Sequence, residues 1–368
     1  MAMLILQDGT VIRAESFGAE GECEGELVFN TSMTGYQEII TDPSYAKQIV
    51  IMTYPEIGNY GINDFDFESE KSYVSGFIVK ECCGKESHYK SKESIETYLK
   101  EKGIVALKGI DTRSLVKKIR QKGAMSAYIT SSNLDSEKVN KAIEKIQYFK
   151  IDEDIIEEVS CKSKYMFNPK GKINVALIDY GVKKGIINSL AKRNCRITVF
   201  PCDTEANTIL ENDFDAVFLS NGPGNPADYK FQIMQIRHMM GKIPMFGICL
   251  GYQLLAIVAG AETFKLKYGH RGANHPVINL ENNKVLITSQ NHGYAVDTKT
   301  VTKSMRLTYK NLNDDTLEGF EIPSLGIYAV QFHPEAHPGP DDASVIFDEW
   351  INIIEKDIKR INEVKNEE

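Results

Sequence analysis

No apolar run in the 368 residues approaches the length of a membrane span. Met1 to Gly9 lacks the charged, apolar and small-residue layout of a secretion signal. Cysteine occurs seven times, an odd count without regular spacing. That argues for reduced thiols and a cytoplasmic protein rather than a disulfide framework. The adjacent Cys82 and Cys83 have no second pair at zinc spacing and read as structural. Excess positive charge is also missing. The net charge is −8, which argues against nucleic acid or an anionic membrane surface as the main partner. No internal repeat is present, and no Gly-x-x-x-x-Gly-Lys-Ser/Thr phosphate loop. Without such a loop, nothing recognisable in the chain can drive uphill chemistry with a nucleotide. What is there is ordinary for a soluble globular protein, 42% hydrophobic and 26% charged, and long enough for two or three domains.

The first part, residues 1–150, reads as mixed β and α. Leu4-Ile5-Leu6, Asp8-Gly9 and Val11-Ile12 form a hairpin signal. Further strands are expected at 26–29, 48–52, 75–79, 104–107 and 124–130. Between the early ones lie two polar stretches, 30–38 and 41–45, which read as loops able to carry binding contacts or as plain connections. Short helices are expected at 94–102 and 139–146. A third carries Leu115, Val116 and Ile119, with Asp111 or Thr112 as its cap and Gly123 as its stop. Residues 151–172 are charged or aperiodic and read as a linker region, with the boundary near 160–172. From 173 to 360, strands at 173–178, 197–200, 216–219 and 243–246 alternate with helices. This is an α/β pattern that predicts a mostly parallel sheet covered on both faces. Asn225 and Pro226 suit the start of a helix running to Met240. After Gly260 the pattern turns β-rich, at 263–266, 277–280, 285–288, 305–309 and 327–332. A closing helix carries Ile346, Trp350, Ile353, Ile354 and Ile361, followed by a charged, frayed tail at 361–368.

The chemistry centres on Gly247-Ile248-Cys249-Leu250-Gly251. A short apolar run precedes it, and Leu250, Leu254, Ile257 and Val258 follow at helical spacing. A cysteine between two glycines at a strand-to-helix turn is either a nucleophile elbow or a buried core thiol. At the start of the following helix, free N–H groups favour a thiolate and can hold an oxyanion. Gly222-Pro-Gly224-Asn-Pro-Ala227 formally matches a dinucleotide fingerprint. Yet no acidic residue lies between Gly241 and Gly260, and two prolines remove N–H groups. An oxyanion or substrate contact fits this loop better, with a bare turn as the alternative. Among seven histidines, His333 stands two residues before Glu335, so in an extended or turn segment their side chains share one side and the carboxylate can orient the imidazole. His88 and His238 look structural. His270 and His275 flank a glycine-rich loop as binding or turn residues, and His292 lies in Gln290-Asn291-His292-Gly293-Tyr294. His333 and His337 have helical zinc spacing, but Pro334 and Pro338 disfavour a helix, and no metal is expected.

Four stretches together resemble the class I (triad) glutamine amidotransferases, in that family's order: Ser220-Asn-Gly-Pro-Gly224, Gly247-Ile-Cys-Leu-Gly-Tyr-Gln253, Gln290-Asn-His-Gly293 and His333-Pro-Glu335. Earlier in the chain, Phe29-Asn-Thr-Ser-Met-Thr-Gly-Tyr-Gln-Glu38, Thr41-Asp-Pro-Ser-Tyr45, Tyr54-Pro-Glu-Ile-Gly-Asn59 and Gly109-Ile-Asp-Thr-Arg113 resemble the N-terminal domain of the carbamoyl phosphate synthetase small subunits. The resemblance implies hydrolysis of L-glutamine by Cys249, His333 and Glu335 through a thioester. It implies glutamine contacts from Ser44, Gly222, Gly224, Leu250, Gln253, Asn291, Gly293 and Tyr294. It also implies delivery of ammonia to a large synthetase subunit in a heterodimer or higher assembly. No cofactor is expected in this chain, and ATP and magnesium would belong to that large subunit. The alternatives are an amidotransferase subunit of a different synthase, a non-catalytic scaffold, and a free-standing cysteine hydrolase. Tyr252 and Tyr294 depart from the family's usual His and Phe, which leaves fine glutamine specificity open.

Overall fold

The computed structural model describes residues 1–367, without the side chains of 361, 362 and 364–367. It divides into two compact units, Met1–Asp152 with Lys267–Gly272, and Glu153–Leu266 with the chain from Ala273 onward. Among the described residues, no helix is long and apolar enough to cross a membrane.

The first unit has strands β1 (Ala2–Leu6), β2 (Val11–Ser16), β3 (Glu22–Asn30), β4 (Gln48–Met52), β5 (Glu56–Ile57), β6 (Gly76–Ile78), β7 (Glu81–Cys82), β8 (Val105–Lys108) and β9 (Met125–Thr130). Seven of them close a barrel in the order β1-β2-β8-β6-β4-β3-β9, while β5 and β7 pair with each other. The expected hairpin forms with Leu4 opposite Ile12. Strands β3, β4, β6 and β8 are mutually parallel, so their carboxyl ends lie on one rim. Helices α1 (Tyr36–Thr41), α2 (Ile95–Glu101), α3 (Thr112–Lys122) and α4 (Ser136–Gln147) connect the strands or follow them. Asp111 caps α3 by accepting from the Ser114 N–H at 3.0 Å, and the helix stops at Gly123 with φ 100°. Its Leu115 and Ile119 enter the barrel core with Leu4, Leu107 and Ile129.

The stretch 30–45 is not a pair of loops. It holds α1 and a 3-10 turn at Pro43–Tyr45, and most of it is buried. The Tyr60 hydroxyl accepts from the Gly35 and Tyr36 N–H groups at 2.9 and 2.8 Å, while Gln37 and Asn63 bond each other through side chain and backbone. Tyr36, Ile39 and Ile40 span one turn, too short for a helical period to register.

The second unit contains α5 (Ile155–Val159), β10 (Tyr165–Phe167), β11 (Ile173–Asp179), α6 (Lys184–Lys192), β12 (Cys195–Pro201), α7 (Ala206–Leu210), β13 (Ala216–Leu219), α8 (Lys230–Met239), β14 (Met245–Ile248) and α9 (Leu250–Val258). Then come β15 (Thr263–Asn279), β16 (Val285–Val296), β17 (Arg306–Asn311), β18 (Leu317–Ile322), β19 (Ile327–Val330) and α10 (Val345–Glu367). One sheet runs β10-β12-β11-β13-β14-β19-β18-β17-β15-β16. Strands β12, β11, β13, β14 and β19 form its parallel part. Phe218 and Phe246 stack at 4.9 Å, and Trp350 of α10 closes over Phe246 at 5.3 Å.

Several expectations are corrected. Residues 151–172 are not a linker: from Glu153 they belong to the second unit, with α5 and the edge strand β10 in them. All three β10 residues are exposed, so the strand carries no alternation to read. Asn225 and Pro226 start only a 3-10 turn, and α8 begins afresh at Lys230. The glycine-rich loop 269–276 lies inside β15, whose middle, Lys267–Gly272, groups with the first unit. β18 was not anticipated, because its buried Glu318 and Gly319 interrupt the hydrophobic pattern. Helix α10 continues through the expected frayed tail to Glu367. The side chain of Ile361 and the last residue, Glu368, lie outside the described part.

Candidate active site

Strand β14 ends at Ile248, and α9 begins at Leu250, so Cys249 occupies the turn itself. Its backbone sits at φ 54° and ψ −102°, a region L residues avoid at a cost of about 1–3 kcal/mol. Neighbouring chain holds it there: the Cys249 N–H donates to the Val330 carbonyl at 3.0 Å, and the Gly251 N–H to the Ser220 carbonyl at 3.0 Å. Gly251 is obligatory, since a Cβ there would run into the backbone carbonyl of Leu219. The thiol is buried and donates to the Asn291 carbonyl at 3.6 Å. Leu250 is the first residue of α9, where a backbone N–H has no intrahelical acceptor.

His333 follows β19 and is tied by its N–H to the Ser289 carbonyl at 2.9 Å. Its Nδ1 donates to Glu335 Oε1 at 2.6 Å, in a pair with almost no solvent exposure. That bond fixes the tautomer and leaves Nε2 for Cys249. Among the described residues no hydrogen-bond partner reaches Nε2, yet the thiol is close enough to act on the imidazole's protonation. Burial is the largest influence on His333 and disfavours its charged form. The Glu335 carboxylate pulls the other way and, with Cys249, prevails over burial and the Lys183 charge, so the imidazole pKa is raised. Burial likewise opposes ionisation of Glu335, but Lys183 and His333 together hold it below the ordinary carboxylate range.

Lys183 was not foreseen. It lies just before α6, buried, and its Nζ donates to Glu335 Oε1 at 2.9 Å and to the Ala336 carbonyl at 2.7 Å. In sequence, Lys183-Lys184 looks like a solvated helix start. Only the fold reveals that the first lysine turns inward, its N–H held by Asn221 Oδ1 at 3.1 Å.

Gly222 and Gly224 occupy the loop after β13. Gly224 has φ 90°, and a Cβ there would collide with the Tyr229 hydroxyl, which donates to the Pro223 carbonyl at 2.7 Å. Gln253, on α9, donates through Nε2 to the Tyr294 carbonyl and to Gln331 Oε1, both at 2.9 Å. Asn291, Gly293 and Tyr294 lie on β16 rather than in a loop. Around them, His292 bonds the Tyr294 carbonyl and Gln290 Oε1 at 2.7 Å each, and Gln290 Nε2 donates to Glu318 at 2.9 Å. Gln331, Gln290 and Glu318 are buried supporting residues to which the sequence alone assigns no role. Their signal was weak, although Gln331 stands two residues before His333. Ser44 belongs to the first unit, buried in the Pro43–Tyr45 turn, where its N–H donates to Asp42 Oδ1 at 2.9 Å. Tyr252 is fully buried, donates to the Leu317 carbonyl at 3.1 Å and packs on Phe320 at 5.4 Å. It is a core residue of the sheet–helix interface.

A buried thiol on a strained elbow, beside an imidazole held by a carboxylate, is an arrangement for nucleophilic acyl chemistry. Residues 4–129 match the family model for the carbamoyl-phosphate synthase small chain, CPSase domain. Residues 176–353 match that for glutamine amidotransferase class-I. The chain is 50% identical over 350 residues to the carbamoyl phosphate synthase small chain of Clostridium perfringens, covering 95% of this chain and 98% of that one. It is 46% identical over 369 residues to the corresponding chain of Syntrophotalea carbinolica, covering 96% and 98%. It is 46% identical over 352 residues to the carbamoyl phosphate synthase pyrimidine-specific small chain of Bacillus subtilis, covering 96% of this chain and 95% of that one. The chain therefore belongs to the carbamoyl phosphate synthase small chain family, with a class I glutamine amidotransferase fold in its second unit.

Proposed function

We propose that the protein hydrolyses L-glutamine and passes the ammonia to a large synthetase subunit, which makes carbamoyl phosphate from bicarbonate and ATP. The observation that carries this is the buried Cys249–His333–Glu335 constellation: a nucleophile on a strained turn and a base whose tautomer is set by a carboxylate at 2.6 Å. His333 Nε2 takes the thiol proton. The sulfur attacks the side-chain amide carbon of glutamine, and the oxyanion is received by the N–H groups of Leu250 and Gly224. His333 then gives the proton to departing ammonia, and water cleaves the thioester to glutamate with the same histidine as base. The raised pKa of His333 suits a group that must keep its proton until the leaving nitrogen needs it. Both Nε2 hydrogens of Gln253 are spent inside the protein, so its Oε1 is the atom that would accept from the substrate's α-ammonium. Gly222, Asn291, Gly293 and Tyr294 supply the remaining contacts. ATP and magnesium are assigned to the large subunit, and the setting is the cytoplasm.

The test is glutamate release from L-glutamine by the purified chain, with and without a large subunit from the same source. Slow release that rises with the partner, bicarbonate and ATP supports the reading. Fast release indifferent to the partner means a free-standing hydrolase, and none in either case means a non-catalytic scaffold. Cys249→Ser is expected to abolish glutamine-dependent synthesis and to leave ammonia-dependent synthesis by the complex intact. Loss of both would mean that Cys249 serves assembly instead.

A further inference from the structure

The parallel strands β3, β4, β6 and β8 of the first unit bring four carboxyl ends to one rim. In parallel α/β sheets, ligands bind beyond such ends. A groove of about 930 Å³ opens there, bounded by the residues just after each strand and by one flank of α3. The flank carries Arg113, Lys117 and Arg120, at i, i+4 and i+7, while Leu115 and Ile119 face the core. Lys80 adds a fourth cation, and Glu81 and Asp111 are the carboxylates of the lining. Lys80 pairs with Glu81 at 3.5 Å, and Asp111 is committed to capping α3. Among the described residues, none of Arg113, Lys117 and Arg120 is paired with a carboxylate. The groove is thus a concentration of uncompensated positive charge on a chain of net charge −8.

We infer that this groove receives an acidic segment of the large synthetase subunit. The inference rests on the proposed function for the existence of that partner. Two features favour a protein segment over a small anion. The cations are exposed rather than sunk into the protein, whereas a small-ligand site buries its few polar groups. Arg113 to Arg120 also spreads the charge over about 10 Å of helix, the reach of several acidic side chains rather than one phosphate. The groove lies entirely within residues 4–129, outside the part matched by the general amidotransferase model, so it is placed to serve what the synthase adds to glutamine hydrolysis. Exposed charges of this kind act mainly on association rate and its salt dependence.

The experiment compares the full-length wild type with Arg113→Glu/Lys117→Glu/Arg120→Glu for association with the large subunit at low and physiological salt. The triple variant is expected to associate roughly tenfold or more slowly at low salt, with a flatter salt dependence. Its glutamate release in the absence of the partner should be unchanged, and its stimulation should need more large subunit. The milder Arg113→Gln/Lys117→Gln should fall between, which guards against a folding defect in the triple. Unchanged association in both variants overturns the groove assignment alone. Failure of the wild type to associate at all overturns the proposed function, and the groove with it. Inorganic phosphate that raises the wild type's unfolding temperature but not the triple variant's, with association unchanged, identifies a small-anion site and also overturns the inference.

Discussion

Three buried charged groups meet at Glu335, and their balance has consequences in solution. His333 has a raised pKa in the folded chain, from an ordinary 6.5. A raised folded value means that its contribution to stability is complete below pH 6.5 and is lost as pH climbs through the folded value. Glu335, with a lowered pKa, contributes above its ordinary 4.5 and loses the contribution as pH falls. Urea midpoints measured from pH 6 to 9 should therefore decline for the wild type, and Glu335→Gln should flatten that decline. Lys183→Met removes a cation from a pair with almost no exposure and leaves the Glu335 carboxylate buried without its lysine. We expect a loss of about 3 kcal/mol in unfolding free energy, read by urea titration. Glutamate release should fall by about tenfold to a hundredfold in kcat with a smaller change in KM, because the histidine is mispositioned rather than the substrate unbound. The sequence made Cys249, His333 and Glu335 legible because each sits in a short motif whose spacing has a mechanical meaning. Lys183 and Gln331 were not, because their roles depend on which way a side chain turns after a strand, and no local pattern encodes that.

At the level of elements, the elbow rests on a close approach between α9 and β13. Gly251→Ala places a methyl group against the Leu219 carbonyl. It should cost about 1–3 kcal/mol, measured by thermal or urea unfolding, and should abolish glutamate release even in the fraction that folds. The αβ alternation from β11 to α9 was readable in advance, since each strand is a short apolar run and each helix carries an apolar stripe. The β-rich end was readable only in pieces. Strands β15 and β16 are long and carry polar residues such as His270, Arg271, Gln290 and Asn291 in mid-strand, so periodicity failed where the chain is partly buried on both sides. For α1 the failure was one of length, a single buried turn.

For the molecule as a whole, the sequence suggested a break at a polar linker, but compactness divides the chain after Asp152 and returns Lys267–Gly272 to the first unit. That returning segment is knitted in: the Ala124 N–H donates to the Lys267 carbonyl at 2.7 Å, Tyr268 lies 5.9 Å from Phe29, and the Arg120 guanidinium sits 5.6 Å over the Tyr268 ring. A fragment of residues 1–152 should consequently unfold at a lower urea concentration than the same unit within the full chain, as tracked by hydrogen exchange of β3 and β9 amides. Equal protection in the two would show the segment to be dispensable. There is also a consequence in time. Synthesis proceeds at about 5–20 residues per second, and the segment follows Asp152 by about 120 residues, so a nascent first unit waits on the order of ten seconds for its last piece. During that wait Phe29 has no Tyr268 against it, and the order of emergence from the ribosome, rather than the finished contacts, decides how long that apolar face stays open to other chains.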